Sequence, residues 1–206
     1  MTEGKFITLE GGEGVGKSTN LNFVKLLLES RGLTVVTTRE PGGTVLAENI
    51  REILLENQQE TVSETAELLM MFAARAQHIL HVIKPAMEKG HWVLCDRFID
   101  STYAYQGGGR GVDVSMIEWL ENNVQQGIKP DLTLLLDAPI AIGMERANKR
   151  AALDRFELEK QQFFEKVRAT FLQRAKNNPQ DIKTINAAQS LDKVQQEIAL
   201  VVKALL

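Results

Sequence analysis

The sequence of 206 residues contains one cysteine, Cys95, and carries no excess of positive charge. A single cysteine cannot form an internal disulfide and fits a reducing compartment. The 24 lysines and arginines are outnumbered by 27 aspartates and glutamates, which gives a net charge of −3. Nucleic-acid-binding proteins are usually basic, so we expect no nucleic-acid partner and expect any anion site to be a local cluster of cations.

Long apolar runs are also missing. No stretch approaches the roughly 20 residues that a membrane-spanning helix needs, so no membrane association is expected. The first ten residues, MTEGKFITLE, lack the basic start and apolar core of a secretion signal. These absences predict a cytoplasmic protein. The share of hydrophobic residues is 44%, which is ordinary for a globular chain, and the length predicts a single domain over 1–206.

Short apolar runs alternate along the chain with longer amphipathic segments. Strands are predicted at 6–9, 34–37, 92–95, 132–136 and 182–185. Helices are predicted at about 21–31, 63–89, 114–126, 140–150, 156–176 and 191–206. Several strands are apolar nearly throughout, which is typical of a parallel sheet covered on both faces. The pattern predicts an α/β fold, a three-layer sandwich with a central five-stranded parallel sheet.

The segment LEGGEGVGKST, residues 9–19, contains the spacing G-x-x-x-x-G-K-[ST] between a predicted strand and a predicted helix. Glycines let backbone N–H groups approach phosphate oxygens, and the following helix adds the partial positive charge of its N-terminus. Lys17 would reach the β- and γ-phosphates, and Ser18 would ligate Mg²⁺. The predicted ATP-binding residues are Gly11, Gly12, Glu13, Gly14, Val15, Gly16, Lys17, Ser18 and Thr19.

Other nucleotide-binding classes fit the sequence less well. A dinucleotide fingerprint would need glycine where Lys17 stands. A switch GTPase would show N-K-x-D, but the segment 148–151 reads NKRA and lacks the aspartate. A partitioning-type ATPase would carry a second lysine near Gly12. None of these classes explains the arginines that follow the predicted strands.

Those arginines point to a second phosphorylated ligand. Arg39 follows the second predicted strand, Arg97 follows the third, and Arg51 lies on the helix after Arg39. The carboxyl ends of parallel strands form the ligand crevice of open α/β sheets. A cationic site beside an ATP site is typical of phosphoryl transfer to a nucleoside monophosphate. Asp96 ends an apolar strand and is the candidate carboxylate for Mg²⁺.

Nearly the whole chain closely resembles the thymidylate kinases, enzymes that phosphorylate dTMP with ATP. The resemblance rests on the phosphate loop, REPGGT at 39–44, FAARAQH at 72–78, DRFIDSTYAYQGGGRG at 96–111 and ALDRFE at 152–157. It implies the P-loop nucleoside monophosphate kinase fold, the substrates ATP and dTMP, Mg²⁺ and a homodimer. Because Val15 is apolar, the chain resembles the bacterial type, whose catalytic arginines lie in a lid, here about 143–156.

The resemblance also implies roles for individual residues. Arg51 and Arg97 hold the acceptor phosphate with support from Arg39, and Glu13 lies near the sugar 3′-hydroxyl. Tyr105 lies against the sugar and disfavours a 2′-hydroxyl. The remaining acceptor residues are Glu40, Pro41, Phe72, Arg75, Thr102 and Gln106, with Phe72 stacking on thymine, Arg75 donating to a thymine carbonyl and Thr102 bonding to N3. The family usually has its aromatic residue where this chain has Met71, so either Met71 or Phe72 could stack.

Catalysis is assigned by the same resemblance to cations, namely Lys17, Arg97, Arg150 and Arg155. Arg146 lies in the same basic segment, and the loop at 186–189 follows the last strand and could touch adenine. Two histidines, His78 and His81, lie three residues apart on a predicted helix and have no third metal ligand. We interpret them as structural or exposed.

Overall fold

The structure is a computed structural model that describes residues 4–56, 60–147, 155–156 and 159–206. Within these ranges a single sheet contains five parallel strands in the order β2-β3-β1-β4-β5. Their bounds are β1 Phe6–Glu10, β2 Val35–Arg39, β3 Trp92–Asp96, β4 Leu132–Asp137 and β5 Ile182–Asn186. The predicted parallel α/β sheet is confirmed.

Each strand runs one or two residues further than its predicted carboxyl end. The added residues are polar and include Glu10, Arg39, Asp96 and Asp137. Apolar periodicity cannot detect such residues, because it stops at the last buried hydrophobic side chain. Polar and charged side chains therefore lie together at the carboxyl ends of the strands, where the candidate site lies.

Helices cover both faces of the sheet, because strand side chains alternate between two cores. Ile7 and Leu9 of β1 join a core that includes Val24 and Ile198, whereas Phe6 joins a core on the opposite face that includes Leu68. At the centre of the sheet the hydroxyls of Thr8 and Thr133 form a buried hydrogen bond of 2.9 Å. The described residues thus form the expected three layers.

The described helices agree broadly with the sequence pattern. Their bounds are α1 Lys17–Glu29, α2 Val45–Leu55, α3 Glu64–His78, α4 Lys84–Glu88, α5 Ile99–Thr102, α6 Val114–Gln125, α7 Ile140–Ala147, α8 Gln161–Asn177 and α9 Leu191–Lys203. Two π-helical stretches, Ile79–Ile83 and Tyr103–Gly109, follow α3 and α5. No helix within the described ranges is long and apolar enough to cross a membrane.

One long helix prediction agrees in its bounds, and another was wrong at its start. The segment predicted as one helix over 63–89 is helical from Glu64 to Glu88, with a π-helical stretch at Ile79–Ile83 and Pro85 in the first turn of α4. The helix predicted to begin at Phe156 begins at Gln161. The last three residues of the helix predicted over 140–150 lie outside the described residues. π-helical stretches inside helices often mark functional sites. Tyr105 and Gln106 of the second stretch line the cavity described below, whereas Val82 of the first lines a separate recess.

Candidate active site

The phosphate loop connects β1 to α1 and packs closely against backbone. Gly11 and Gly14 have φ angles of 136° and 67°. A Cβ on Gly14 would lie 1.9 Å from the carbonyl oxygen of Gly143, so this position admits glycine only. The amino group of Lys17 donates to the carbonyl oxygens of Gly11 and Gly12 at 3.1 and 2.8 Å. The loop therefore holds the Lys17 ammonium group against its own backbone carbonyl oxygens.

Several charges surround the Lys17 amino group. Burial lowers the pKa of Lys17, and the nearby Arg97 guanidinium lowers it further. The negative charges of Glu13, Asp96 and Glu10 oppose this shift. The two cations are thus held near one another by carboxylates that surround them, as a site for a polyanion requires.

A recess beside the loop brings together the two predicted metal ligands. Ser18, exposed at the start of α1, and Asp96, at the end of β3, both line it. The Oδ1 atom of Asp96 is buried and has no hydrogen-bond partner among the residues that the structure describes. A hydroxyl and a carboxylate oxygen suit Mg²⁺, which usually takes few protein ligands and completes its shell with phosphate and water. These residues fit the predicted metal.

Arg39 lines this same recess and not the acceptor cavity. Its guanidinium donates to Glu48 at 2.8 Å, and its side chain is 54% exposed. The predicted support of the acceptor phosphate by Arg39 therefore does not match its placement. β2 extends to residue 39, so the side chain follows the alternation of the strand and faces the recess.

A cavity of about 110 Å³ lies beside the loop, and Glu13 of the loop lines it. Most of the predicted acceptor residues line it. These are Glu13, Glu40, Pro41, Arg51, Arg75, Arg97, Thr102, Tyr105 and Gln106, joined by Leu55, Met71, Phe98, Ser101 and Phe156. Segments that are far apart in the sequence converge here because the loops after β1, β2 and β3 leave the same edge of the sheet.

Three side chains connect the phosphate loop to this cavity. Arg97 donates to Oε1 of Glu13 at 2.6 Å, and the Tyr105 hydroxyl donates to the same oxygen at 2.6 Å. The Arg97 guanidinium also lies 4.9 Å from the centre of the Tyr105 ring. Burial alone would lower the pKa of Arg97, but Glu13, Tyr105, Asp96 and Glu10 together outweigh it and the pKa is raised. Arg97 is therefore a permanent cation.

Glu10 is a site residue that the sequence reasoning missed. Arg97 has a φ angle of 68°, which is uncommon for any residue except glycine. Glu10 holds the turn after Arg97, because Oε1 accepts from the backbone of Phe98 at 2.7 Å and Oε2 accepts from the Ser101 hydroxyl at 2.5 Å. Ser101 in turn accepts from Arg97 at 3.2 Å. The only available signal was an acidic residue ending an apolar strand directly before the phosphate loop.

Burial raises the pKa of Glu10 to about 7, and the charge of Asp100 adds to the rise. Hydrogen bonds from Ser101 and Phe98, and the charge of Arg97, act in the opposite direction. Desolvation is therefore the largest influence on this carboxyl group.

The far end of the cavity is built around Arg75 on α3. Its Nε donates to Glu40 at 2.7 Å and its Nη2 donates to Thr102 at 2.9 Å. Its Nη1 atom is buried and has no partner within the described part of the chain. A buried guanidinium with one uncommitted nitrogen, at the wall of a cavity, is suited to donating to a carbonyl oxygen of a ligand.

The structure separates the two candidates for base stacking. Met71 lines the cavity, whereas Phe72 does not. Phe72 is 2% exposed in the core, and its ring lies 5.0 Å from the Arg75 guanidinium. The expected stacking of Phe72 on a base therefore does not match its placement, since one helical position turns the side chain from the cavity into the core. Phe98 supplies an aromatic wall instead.

Glu67 is a second missed residue, and it determines where Arg155 lies. This carboxylate is 1% exposed and accepts from Gln106 at 2.9 Å and from Arg155 at 2.6 Å. Arg155 also donates to the carbonyl oxygen of Leu54 at 2.9 Å. These contacts place Arg155 against α2 and α3, on the acceptor side of the site. The sequence offered no signal beyond one acidic residue among many in a helix.

Two further basic residues lie near ligand-facing segments. Arg51 donates to the carbonyl oxygen of Pro41 at 3.1 Å, which orients it along the cavity wall. Arg146 donates to the carbonyl oxygen of Ala187 at 3.0 Å and so joins α7 to the loop at 186–189. Arg150 lies outside the described residues.

Comparisons with known proteins agree with this geometry. The family model described as thymidylate kinase matches residues 9–198. A thymidylate kinase of Alcanivorax borkumensis is 52% identical over 97% of this chain and 96% of its own length. One of Methylococcus capsulatus is 54% identical over 100% of this chain and 98% of its own length.

Solved structures give the same result. The crystal structure of thymidylate kinase from Ehrlichia chaffeensis has a TM-score of 0.78 and 35% identity, and the match covers 97% of this chain and 99% of that one. Sequence and structure therefore agree along almost the full length of the protein, and the chain belongs to the thymidylate kinase family.

Proposed function

We propose that this protein transfers the γ-phosphoryl group of ATP to dTMP, giving ADP and dTDP on the route to dTTP. One observation carries the proposal. Glu13 of the phosphate loop accepts hydrogen bonds from Arg97 and Tyr105, and all three residues line the cavity beside the loop. The same short segment would thus face the donor phosphates and the acceptor, as direct phosphoryl transfer requires.

The acceptor needs cations more than it needs a base. A phosphate monoester has a second pKa of about 6, so at neutral pH it is already largely a dianionic nucleophile. The difficulty is that two polyanions must meet in line. Arg51 and Arg97 would hold the acceptor phosphate, and Lys17 would hold the donor phosphates. Catalysis then rests on positioning and on electrostatic stabilisation of the transferring group.

The metal implied by ATP chemistry would be Mg²⁺, held by Ser18 and Asp96. The support is the shared recess and the unpartnered Oδ1 of Asp96 within the described residues. When bound, the ion neutralises phosphate charge. Ser18 would offer its hydroxyl, and Asp96 would keep its carboxylate at the recess wall.

Arg150 and Arg155 would supply further charge to the transferring group from the segment at about 143–156. Arg155 is paired with Glu67 in this structure, so its use on the phosphoryl group requires that ion pair to open. The contact between Arg146 and the 186–189 loop supports an adenine site on that side. Closure over the reacting groups would exclude water and so suppress ATP hydrolysis.

The base and sugar of dTMP would lie at the Arg75 end of the cavity. Met71 and Phe98 would enclose the thymine, and Nη1 of Arg75 would donate to a base carbonyl. Thr102 would bond to the N3 edge, and the Tyr105 ring would lie against the sugar at C2′. Selectivity follows because a wrong base leaves buried polar groups unpaired.

We also propose that the whole chain acts as one domain, as a homodimer in the cytoplasm. Support for a dimer comes from neighbouring helices α3 and α6, where Leu69 and Trp119 are 47% and 64% exposed. Large apolar side chains exposed on neighbouring helices favour association. Light scattering during size-exclusion chromatography would give the mass, and a monomer at micromolar concentration would contradict this assembly.

A coupled assay of ADP release tests the proposed reaction. ATP and Mg²⁺ are supplied with dTMP, dUMP, dCMP, dGMP, AMP or UMP in turn. We expect dTMP to have the highest kcat/KM. Equal or higher kcat/KM for a purine or ribose acceptor would contradict the proposal.

A further inference from the structure

Behind the acceptor cavity, four polar side chains form a continuous hydrogen-bonded row. Nε2 of His78 lies 2.7 Å from the Thr38 hydroxyl, and Nδ1 of His78 lies 2.9 Å from Oε1 of Glu40. Oε2 of Glu40 accepts from Nε of Arg75 at 2.7 Å. The row runs from the end of β2 to the wall of the cavity. His78 itself does not line the cavity.

The imidazole of His78 is fully enclosed. It is 0% exposed, and a Cβ on Gly43 would lie 2.5 Å from its Cδ2 atom. The loop after β2 therefore closes directly over the ring. Because a carboxylate only accepts hydrogen bonds, Nδ1 must carry the hydrogen that is donated to Glu40. A histidine held in this way has one available orientation.

Both oxygens of Glu40 are used, and this determines the position of Arg75. His78 occupies one oxygen and Arg75 occupies the other. With two fixed donors the carboxylate cannot rotate without breaking a buried hydrogen bond, which is costly in a site where Glu40 is 5% exposed. The guanidinium is bound at Nε and Nη2, so the direction of Nη1 depends on the plane of Glu40.

We propose that His78 is a positioning residue for base selectivity, which it exerts through Glu40 and Arg75. The inference rests on the proposed function, in which Nη1 of Arg75 donates to a pyrimidine carbonyl. In this proposal the acceptor is the carbonyl at C4, because the carbonyl at C2 is common to both bases. Cytosine has an amino group at C4, which cannot accept this hydrogen bond. Loss of His78 frees Glu40 to rotate, and the donor at Nη1 loses its direction. Discrimination between dTMP and dCMP then falls.

The test compares four variants with the wild type. His78→Ala removes both contacts, and His78→Asn keeps a donor near the position of Nδ1. Thr38→Val removes only the contact to Nε2 at nearly constant shape. His81→Ala is the matched control, because His81 lies three residues further along and is exposed. The measured quantity is the ratio of kcat/KM for dTMP to that for dCMP, with the dissociation constant of each nucleotide measured without ATP.

We expect His78→Ala to lower this ratio about tenfold or more. Most of the loss should appear as a larger dissociation constant for dTMP, with a smaller change in kcat. His78→Asn should restore part of the ratio, Thr38→Val should lower it about two- to threefold, and His81→Ala should leave it unchanged. Thermal unfolding and circular dichroism check that each variant is folded. Partial rescue by His78→Asn separates positioning from a general loss of packing.

Three results would overturn the inference. The first is a ratio within twofold of the wild type in folded His78→Ala. The second applies if that variant does not fold, and it is an unchanged ratio in both His78→Asn and Thr38→Val. The third is an equal fall in His81→Ala. Failure of the proposed function looks different, because the wild type itself would then not prefer dTMP, and both ideas would be rejected together.

Discussion

The acceptor cavity and the metal recess are lined by different residues and are built differently. In the cavity wall Arg75, Thr102 and Gln106 are at most 2% exposed, and each donates or accepts a hydrogen bond within the protein. In the recess Ser18 is exposed and Arg39 pairs with a partly exposed Glu48. A buried polar wall distinguishes ligands, because a wrong partner leaves it unpaired. An open recess with charged side chains would recognise the phosphate groups that all triphosphates share.

This contrast makes different predictions for the two sides. Changes at the phosphate loop should reduce turnover with every acceptor. Changes in the cavity wall should alter affinity or selectivity.

The largest effect is expected for Lys17→Ala, which removes the cation held at the loop mouth. We expect kcat to fall by at least about 10²–10³-fold, because charge stabilisation of the transferring group is lost. Steady-state kinetics with dTMP would measure this. Lys25→Ala on the same helix is the control, since Lys25 pairs with Glu29 near the surface. Wild-type turnover from a folded Lys17→Ala protein would reject the assignment of the ATP site.

The next largest effect is expected for Arg97→Ala, which should weaken binding of the acceptor. We expect KM for dTMP to rise about 10²-fold, because a charge-assisted phosphate contact of a partly buried guanidinium is lost. Arg97→Lys should recover only part of this, since lysine lacks the planar fork. The KM for ATP, measured in parallel, should change much less. If KM for ATP rises as much as that for dTMP, the division between the two sides is wrong at this residue.

Tyr105→Ala should have a smaller and more selective effect. The ring contacts Phe163 and Phe171 edge to face and carries the hydroxyl that bonds to Glu13. Removing it opens space at C2′ of the sugar, and we expect the preference for the deoxy over the ribo acceptor to fall about tenfold.

The control for this change is Tyr105→Phe, which removes only the hydroxyl. It should keep the preference, although KM can change through Glu13. The ratio of kcat/KM for dTMP to that for its ribonucleotide analogue decides the matter. An unchanged ratio in Tyr105→Ala would show that another residue excludes the 2′-hydroxyl.

The smallest effect is expected for Glu10→Gln, in the pH dependence of folding. The pKa of Glu10 is raised by burial from 4.5 to about 7 in the folded protein. Between these values the unfolded chain releases a proton that the folded chain keeps, so stability falls as pH rises. Glutamine cannot titrate, so the stability of the variant relative to the wild type should increase over this window and level off above it.

Melting temperatures at pH 5, 6, 7 and 8 would test this prediction. Each kcal/mol corresponds to about 2–4 °C in a chain of this size. The exposed Glu118→Gln serves as control and should show no such trend. A constant difference between Glu10→Gln and the wild type at all four pH values would show that Glu10 does not titrate as expected.

Local sequence was sufficient for the parts of the site that are contiguous. The phosphate loop lies between a buried strand and a helix, and its glycines occur where backbone crowding requires them, as Gly14 shows. Asp96 and Arg97 were found because they directly follow an apolar strand. Such features depend on neighbours in the chain, so the order of residue types is enough to predict them.

Side-chain direction was less predictable. Phe72 and Met71 are adjacent on α3, and only the packing of that helix decides which one faces the cavity. The Arg39 side chain lines the recess because β2 extends through residue 39. Glu10, Glu67 and His78 could not be recognised, since their partners lie from 38 to 91 residues away.

The sequence by itself therefore determined the alternation of strands and helices, the phosphate loop and the set of cations that a polyanion site requires. Only the tertiary structure decided which of those cations are committed to which carboxylates. Arg97 pairs with Glu13 and Arg155 pairs with Glu67. The physical reason is that apolar periodicity and backbone geometry are local properties, whereas a buried charge is stable only beside a partner brought there by the fold.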